Sequence, residues 1–314
     1  MTTLQTLHLR AIEADLNMAA QLLRNGQLVG FPTETVYGLG ADARDGTAVA
    51  NIYDAKGRPS FNPLIVHVPD VASAKRYVQW NNTAQILADR FWPGALTLVL
   101  PLRDGHGLSS LVTAGLNTLA IRVPNHGTAL RLLRLADAPI AAPSANPSGR
   151  ISPTTAQHVL DGLAGKIAAV LDDGPCKVGL ESTILGLTPD VALLRHGGVE
   201  SEQIEDALGI TLTQSTPEKI TAPGQMESHY APKAHVRLDA SNIEAGEVLL
   251  GFGTMNCDLN LSEHGDLIEA AANLFDHLHA LDKTGKPIAV APIPQIGLGR
   301  AINDRLRRAA APRG

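Results

Sequence analysis

Six short polar segments of the chain crowd hydroxyl, amide and basic side chains between apolar runs, and each could do chemistry. In KGRPSFNPLIVH, Lys56 and Arg58 stand two residues apart. A compact ammonium beside a planar guanidinium suits a polyphosphate, because one offsets charge while the other can take two oxygens at once. Asn62 could read a base or sugar edge, and His67, alternating with Ile65 on a predicted strand, could meet a ligand or be a satisfied core histidine. On a surface loop the same two cations would simply be solvated. In TLAIRVPNH, Arg122 interrupts an apolar run. A buried guanidinium is costly unless paired, so this position predicts a carboxylate or phosphate beside it, from a ligand or from an internal Asp or Glu.

FPTETVYGLG sets Thr33, Thr35 and Tyr37 on a rigid turn after a strand, where the hydroxyls reach a substrate or bond their own backbone. APSANPSGRISPTTAQ lies between a strand and a helix, and its Ser144, Asn146 and Ser152 could present donors to a phosphate at a helix N-terminus; as composition alone it is only a loop. GLESTILGL leads Glu181, Ser182 and Thr183 into a strand, LLRHGG carries Arg195, and SHYAPK sets Tyr230 near Lys233, where ring and cation could fold over a nucleotide. Each segment has a purely structural explanation of comparable weight. Their joint placement at strand ends of one predicted domain singles them out.

Positioning falls to the elements between them. Leu16, Ala19, Leu22 and Leu23 recur at helical spacing, which predicts a first helix over Ile12–Asn25 stopped by Gly26. Short apolar runs (LVGF, PLIVHV, LTLVL, TLAIRV, API, AVL, VALLR) then alternate with helical stretches, the signature of a layered α/β arrangement. Ser152 followed by Pro153 reads as an N-cap and first turn for a helix running toward Leu160. The expected division is a domain over 1–210, an aperiodic linker over 211–234, and a smaller α/β unit over 235–314. GLG before the last helix resembles half a dinucleotide fingerprint, without its third glycine or acidic partner.

A length of 314 residues suits two domains, and 44% hydrophobic with 18% charged residues excludes a disordered chain. Net charge of −5 gives no global attraction to a polyanion, so any nucleotide must be held by a local cluster of cations. Cys176 and Cys257 have no metal-motif spacing and read as free thiols in a reducing cytoplasm. His277 and His279, two apart on a predicted helix, point to different faces and read as solvent-facing, not as a metal pair. No apolar run approaches the roughly 18 residues of a membrane span, so no membrane partner is expected.

Taken in order, FPTETVYGLG, KGRPSFNPL, FWPGALTLVL, AIRVPNH, APSANPSGRISPT, GLESTI and SHYAPK resemble the YrdC-like family. The tail PIPQIGLGRAINDRLRRAAAPRG extends the resemblance to the long two-domain form, the threonylcarbamoyl-AMP synthases. It implies an α/β fold: a YrdC-like domain with a twisted mixed sheet flanked by helices, then a smaller Rossmann-like C-terminal domain. It also implies a reaction. L-threonine takes up bicarbonate or CO2 at its amine, and the carbamate attacks the α-phosphorus of ATP to give threonylcarbamoyl-AMP and pyrophosphate for tRNA modification.

By that resemblance Lys56, Arg58, Ser144 and Asn146 form the catalytic set, and Thr35, His67, Arg122, Ala142 and Ser182 contact threonine. Arg58, Asn62, Ser144, Ser152, Arg195 and Tyr230 surround ATP, although His196 follows Arg195 where the family usually has proline. Mg2+ accompanies ATP with no protein-held metal cluster, the linker acts as a lid, and the product passes to a tRNA-modifying transferase complex. Two other readings share the fold. An RNA-binding or ribosome-associated module would show salt-sensitive RNA binding, including direct tRNA binding, without turnover. A carbamoyl-transfer enzyme of hydrogenase maturation would add an acylphosphatase region and zinc fingers.

Overall fold

A computed structural model describes residues 4–59, 62–214 and 229–312. Its larger sheet is built from β1 (Leu7–Arg10), β2 (Val29–Phe31), β3 (Gly38–Asp42), β4 (Ile65–His67), β5 (Leu96–Pro101), β6 (Thr118–Arg122), β7 (Ile140–Ala141), β8 (Ala169–Asp172), β9 (Thr183–Leu187), β10 (Val191–Arg195) and β11 (Thr213–Gln214). The strand order is β1-β8-β2-β3-β7-β4-β6-β5-β9-β10-β11, with parallel and antiparallel pairs mixed. Around it lie α1 (Glu13–Arg24), α2 (Gly46–Lys56), α3 (Val71–Ala74), α4 (Asn82–Phe91), α5 (Ser110–Thr113), α6 (Gly127–Ala136), α7 (Ala156–Leu163) and α8 (Ser201–Leu208). A second, all-parallel sheet in the order β12-β15-β13-β14 uses β12 (Val236–Arg237), β13 (Val248–Gly251), β14 (Leu259–Asn260) and β15 (Ile288–Val290), packed with α9 (Leu267–Asp282) and α10 (Leu298–Ala310). The chain is thus a mixed α/β fold in two parts.

Local chemistry explains the elements that matter for the site. Helix α2 starts where Asp45 accepts from the backbone N–H of Thr47 and Ala48, and it stops at Gly57, whose φ of 60° is left-handed. That turn sets Lys56 on the last helical position and throws Arg58 to the far side of the cap. Helix α7 departs from expectation. It begins at Ala156, capped by Thr155, because the Ser152 hydroxyl is engaged with Glu181 instead.

Strand alternation gives the central sheet two faces. Val66, Leu98, Leu119 and Ile121 point into the main core beneath the helices, while Ile65, Val99, Ala120 and Ile184 form a small cluster on the opposite face. In the parallel pair β4–β6, His67 stands in register with Arg122, so both side chains emerge on that second face at the strand ends. The C-terminal unit packs across the same side. Val36, Ile151 and Leu180 from the first part are buried in one cluster with Leu274, Phe275 and Ile302 from the second. Gly179, at φ +73°, makes the approach of α9 possible, since a Cβ there would lie 2.4 Å from the Ala271 carbonyl oxygen.

Of the expected 211–234 linker, Thr213–Gln214 pairs with β10 and residues 215–228 lie outside the described residues. From His229 onward the chain is packed down, with Ala231 N–H donating to Gly149 O at 2.8 Å. No helix among the described residues is long and apolar enough to cross a membrane.

Candidate active site

A cavity opens on the second face of the sheet, lined by Thr33, Thr35, Val36, Gly38, Arg58, Ile65, His67, Arg122, Ala142, Pro143, Ser144, Glu181, Ser182, Arg195, His229 and Tyr230. Chain segments far apart in sequence therefore converge, and Thr35, Arg58, His67, Arg122, Ala142, Ser144, Ser182, Arg195 and Tyr230 meet there as the sequence suggests. Lys56, Asn62, Asn146 and Ser152 stand behind this lining. Lys233 goes elsewhere: it is exposed and borders a separate groove with His235 and the end of α10.

At one end the Arg122 guanidinium is almost wholly buried. Its Nη1 donates to Thr35 Oγ1 at 2.9 Å, its Nε to Gly94 O at 3.0 Å, and its Nη2 lies 2.6 Å from Glu34 Oε1. The partner demanded by a charge in an apolar strand is thus an internal glutamate, one of the two alternatives open from sequence. Thr33 bridges Thr35 at 2.8 Å and donates to Val36 O at 2.6 Å, so this turn satisfies itself and still presents hydroxyls. Tyr37 takes no part, because its hydroxyl turns away to Gly174 O. Burial, with the Arg122 charge second, depresses His67 to about 3, so the ring is neutral at pH 7 and its Nδ1 has no hydrogen-bond partner.

Cations gather at the other end. Lys56 Nζ donates to Ser144 O at 2.6 Å and also to Asn146 O, clamping the Ser-Asn loop from behind. Burial lowers the Lys56 pKa well below its usual range, with Arg58 adding to the effect, and burial pulls Arg58 down to about 10. Arg58 is held by Pro63 O at 3.0 Å, and Arg195 by Ser182 O at 2.8 Å, while Ser182 Oγ meets Thr97 Oγ1 at 2.7 Å. Asn62 is fully buried with neither amide atom hydrogen-bonded, which leaves an unspent donor and acceptor. Burial first, then Arg58, Lys56 and Arg195, drive the His229 pKa well down. A neutral ring surrounded by that many cations marks a strongly positive pocket, suited to a polyanion.

The sequence reading missed three contributors. Glu34 sits within the PTET turn but carried no signal beyond its charge. His229 reads as an ordinary neighbour of Tyr230. Arg305 lies in RLRRA, where a basic run suggests a solvated helix face, yet its side chain is completely buried. His279 is also not solvent-facing. It stacks on His158 with ring centroids 3.9 Å apart, and its Nε2 meets Ser152 O at 3.1 Å.

Two family models cover the chain: one described as telomere recombination, for Sua5, YciO and YrdC proteins, over residues 21–197, and one for the C-terminal domain of threonylcarbamoyl-AMP synthase over residues 199–311. The threonylcarbamoyl-AMP synthase of Bacillus subtilis is 42% identical, over 96% of this chain and 94% of that protein. The Pyrococcus abyssi protein of the same name is 40% identical, over 100% and 99%. A crystal structure of P. abyssi Sua5 complexed with L-threonine superposes with a TM-score of 0.89 at 38% identity, covering 97% of each chain.

Proposed function

The chain belongs to the threonylcarbamoyl-AMP synthase family in its two-domain form, and on that premise we propose that it condenses L-threonine, bicarbonate or CO2, and ATP into threonylcarbamoyl-AMP and pyrophosphate. The observation that carries this reading is the two-ended cavity. It sets a carboxylate-binding arginine and hydroxyls at one end and a group of cations at the other. Family membership favours the synthase over an RNA-binding module, for which a net charge of −5 offers no broad phosphate-binding surface.

In this reading Arg122 takes the threonine carboxylate, replacing Glu34, with Thr35, Ser182 and His67 around the rest of the amino acid. Ala142, Ile65 and Val36 offer the apolar contact for the threonine methyl. Excluding serine rests on that one methyl, about 1–3 kcal/mol, so discrimination is modest. Arg58, Arg195 and Ser144 face the ATP phosphates, Asn62 and Ser152 act from just behind, and Lys56 with Asn146 fixes the Ser144 loop. The chemistry is a carbamate oxygen displacing pyrophosphate from the α-phosphorus. It asks the chain for positioning and charge stabilisation, not for a nucleophile.

Mg2+ entering with the triphosphate would be carried by phosphate oxygens. Glu181 is the one carboxylate lining the cavity among the described residues, and it is already committed to Arg305 and Ser152.

Free space in the cavity is about 50 Å3, far below the roughly 300 Å3 or more that ligand pockets usually offer. His229 and Tyr230 must therefore withdraw to admit ATP, and their return would shield a carbamate and a mixed anhydride from water. This makes the end of the 211–234 linker the cover of the site. The product is passed on to a tRNA-modifying transferase, in the cytoplasm. A pyrophosphate-release assay with threonine, bicarbonate and ATP each omitted in turn tests the whole reading: release must need all three, and release independent of threonine or bicarbonate would refute it.

A further inference from the structure

Helix α10 buries Leu298, Ala301, Ile302, Leu306 and Ala309 at helical spacing, and Arg305 lies on the same buried face with no exposed surface. A guanidinium in that position needs partners of its own. Its Nε donates to Glu181 Oε2 at 2.9 Å, its Nη1 to His196 O at 2.7 Å and to Asp304 Oδ2 at 3.0 Å, and its central carbon stands 5.4 Å from the centre of the Tyr230 ring. Glu181 and Tyr230 line the cavity, and His196 follows Arg195, which also lines it. The second Glu181 oxygen accepts from Ser152 Oγ at 2.5 Å. One side chain of the C-terminal unit thus ties together three separate segments of the cavity wall. None of the contacts reaches the Arg122 end.

We propose that Arg305 is a positioning residue for the ATP subsite, through which the C-terminal unit completes a nucleotide site that the first unit cannot hold in shape alone. The Arg305–Glu181 pair fixes the Ser152 hydroxyl, and the guanidinium beneath Tyr230 holds the ring that covers the nucleotide. This rests on the synthase reading, in which the Arg58, Arg195 and Tyr230 end takes ATP. A contact serving only to glue two domains would lower stability without favouring one substrate over the other.

The test compares Arg305→Lys and Glu181→Gln with Arg300→Ala. Arg300 bridges the same two parts of the chain through Ser201 and Glu202, away from the cavity. KM for ATP in pyrophosphate release and Kd for threonine by calorimetry are read separately. We expect Arg305→Lys and Glu181→Gln to raise KM for ATP about tenfold or more while threonine Kd stays within about twofold, and Arg300→Ala to move neither. Combining the two site substitutions should cost little more than either alone, as for two halves of one interaction. Equal losses for both substrates, or no change in KM for ATP, would overturn the proposal. Glu181→Gln keeps the side-chain shape, so it answers the question even if Arg305→Lys folds poorly. If the unaltered protein released no pyrophosphate, the synthase reading would fall, while ATP binding by calorimetry would still decide the positioning role.

Discussion

Glu34 Oε1 and Arg122 Nη2 face each other at 2.6 Å inside the cavity wall, with both side chains nearly excluded from solvent. The contact is an ion pair lacking hydrogen-bond geometry at either group, since both Glu34 oxygens and Arg122 Nη2 remain without hydrogen-bond partners. A free carboxylate that can meet the guanidinium in two parallel hydrogen bonds gains what Glu34 does not have.

Arg122→Ala should therefore weaken threonine binding on the order of 100-fold, as expected for removing one partner of a buried charge contact, and change ATP affinity less than about threefold. Isothermal calorimetry with each substrate separately checks this. Equal losses for both would assign Arg122 a role in holding the wall instead.

Glu34→Gln tests the exchange from the other side. Neutralising the resident acid leaves Arg122 with an uncompensated charge, which costs stability of about 3 kcal/mol or more. Threonine can restore the pairing, so the rise in melting temperature on adding threonine should be larger in the variant than in the unaltered protein. A smaller rise would mean that Glu34 helps bind threonine and does not compete for Arg122.

Lys56 clamps the loop that carries Ser144 and Asn146. Lys56→Ala removes the donor to Ser144 O and Asn146 O together with a buried charge, and should lower pyrophosphate release by about 100-fold or more. Lys56→Arg should not rescue it, because a planar fork cannot replace a compact ammonium between two carbonyls in a fully buried space. Substantial rescue by arginine would show that charge alone matters at this position.

Much of this site is legible in the sequence, and the reason is local. Lys56-Gly57-Arg58 is a helix end whose glycine cap is written in the sequence, and Arg122 announces itself as a charge in an apolar strand. What strand spacing could not supply was register. That His67 and Arg122 sit side by side depends on β4 pairing with β6, two elements separated by three helices and a strand. The identity of Arg122's partner, the buried Arg305 and the stacked His158–His279 pair are long-range packing outcomes. A basic run on an amphipathic helix looks the same whether it meets water or Glu181.

The stacked histidines make stability depend on pH in a defined direction. Burial depresses both His158 and His279 to about 4 from an ordinary 6.5. Lys283 pushes both the same way and His158 further lowers His279, while Asp161 raises His158, and the Ser152 carbonyl and Asp276 raise His279. The unfolded chain thus takes up protons that the folded chain refuses. Stability should be flat above about pH 7, fall between 6.5 and 4, and carry the full penalty below 4. His279→Phe keeps an aromatic ring against His158 and removes one titrating group, so its melting temperature should fall less steeply over that range; an unchanged slope would place the acid sensitivity elsewhere.

Removing everything from Ser228 onward tests how far the two parts depend on each other. Judged from sequence alone, the cut removes a cover and leaves the first domain folded. The packing argues for a larger effect. Val36, Ile151 and Leu180 lose the apolar cluster they share with α9 and α10, and Glu181 loses Arg305. Burying an aliphatic side chain contributes about 1.5–3 kcal/mol, so exposing three of them beside an unpaired acid is a large fraction of a domain's stability. The fragment over residues 1–227 should melt well below the full chain, expose hydrophobic surface to a dye, and release no pyrophosphate. Threonine should nonetheless raise its melting temperature, because Arg122, Thr35 and His67 keep their neighbours in the first part. A fragment that melts with the full chain and turns over at the same rate would show that neither Tyr230 nor Arg305 serves the site.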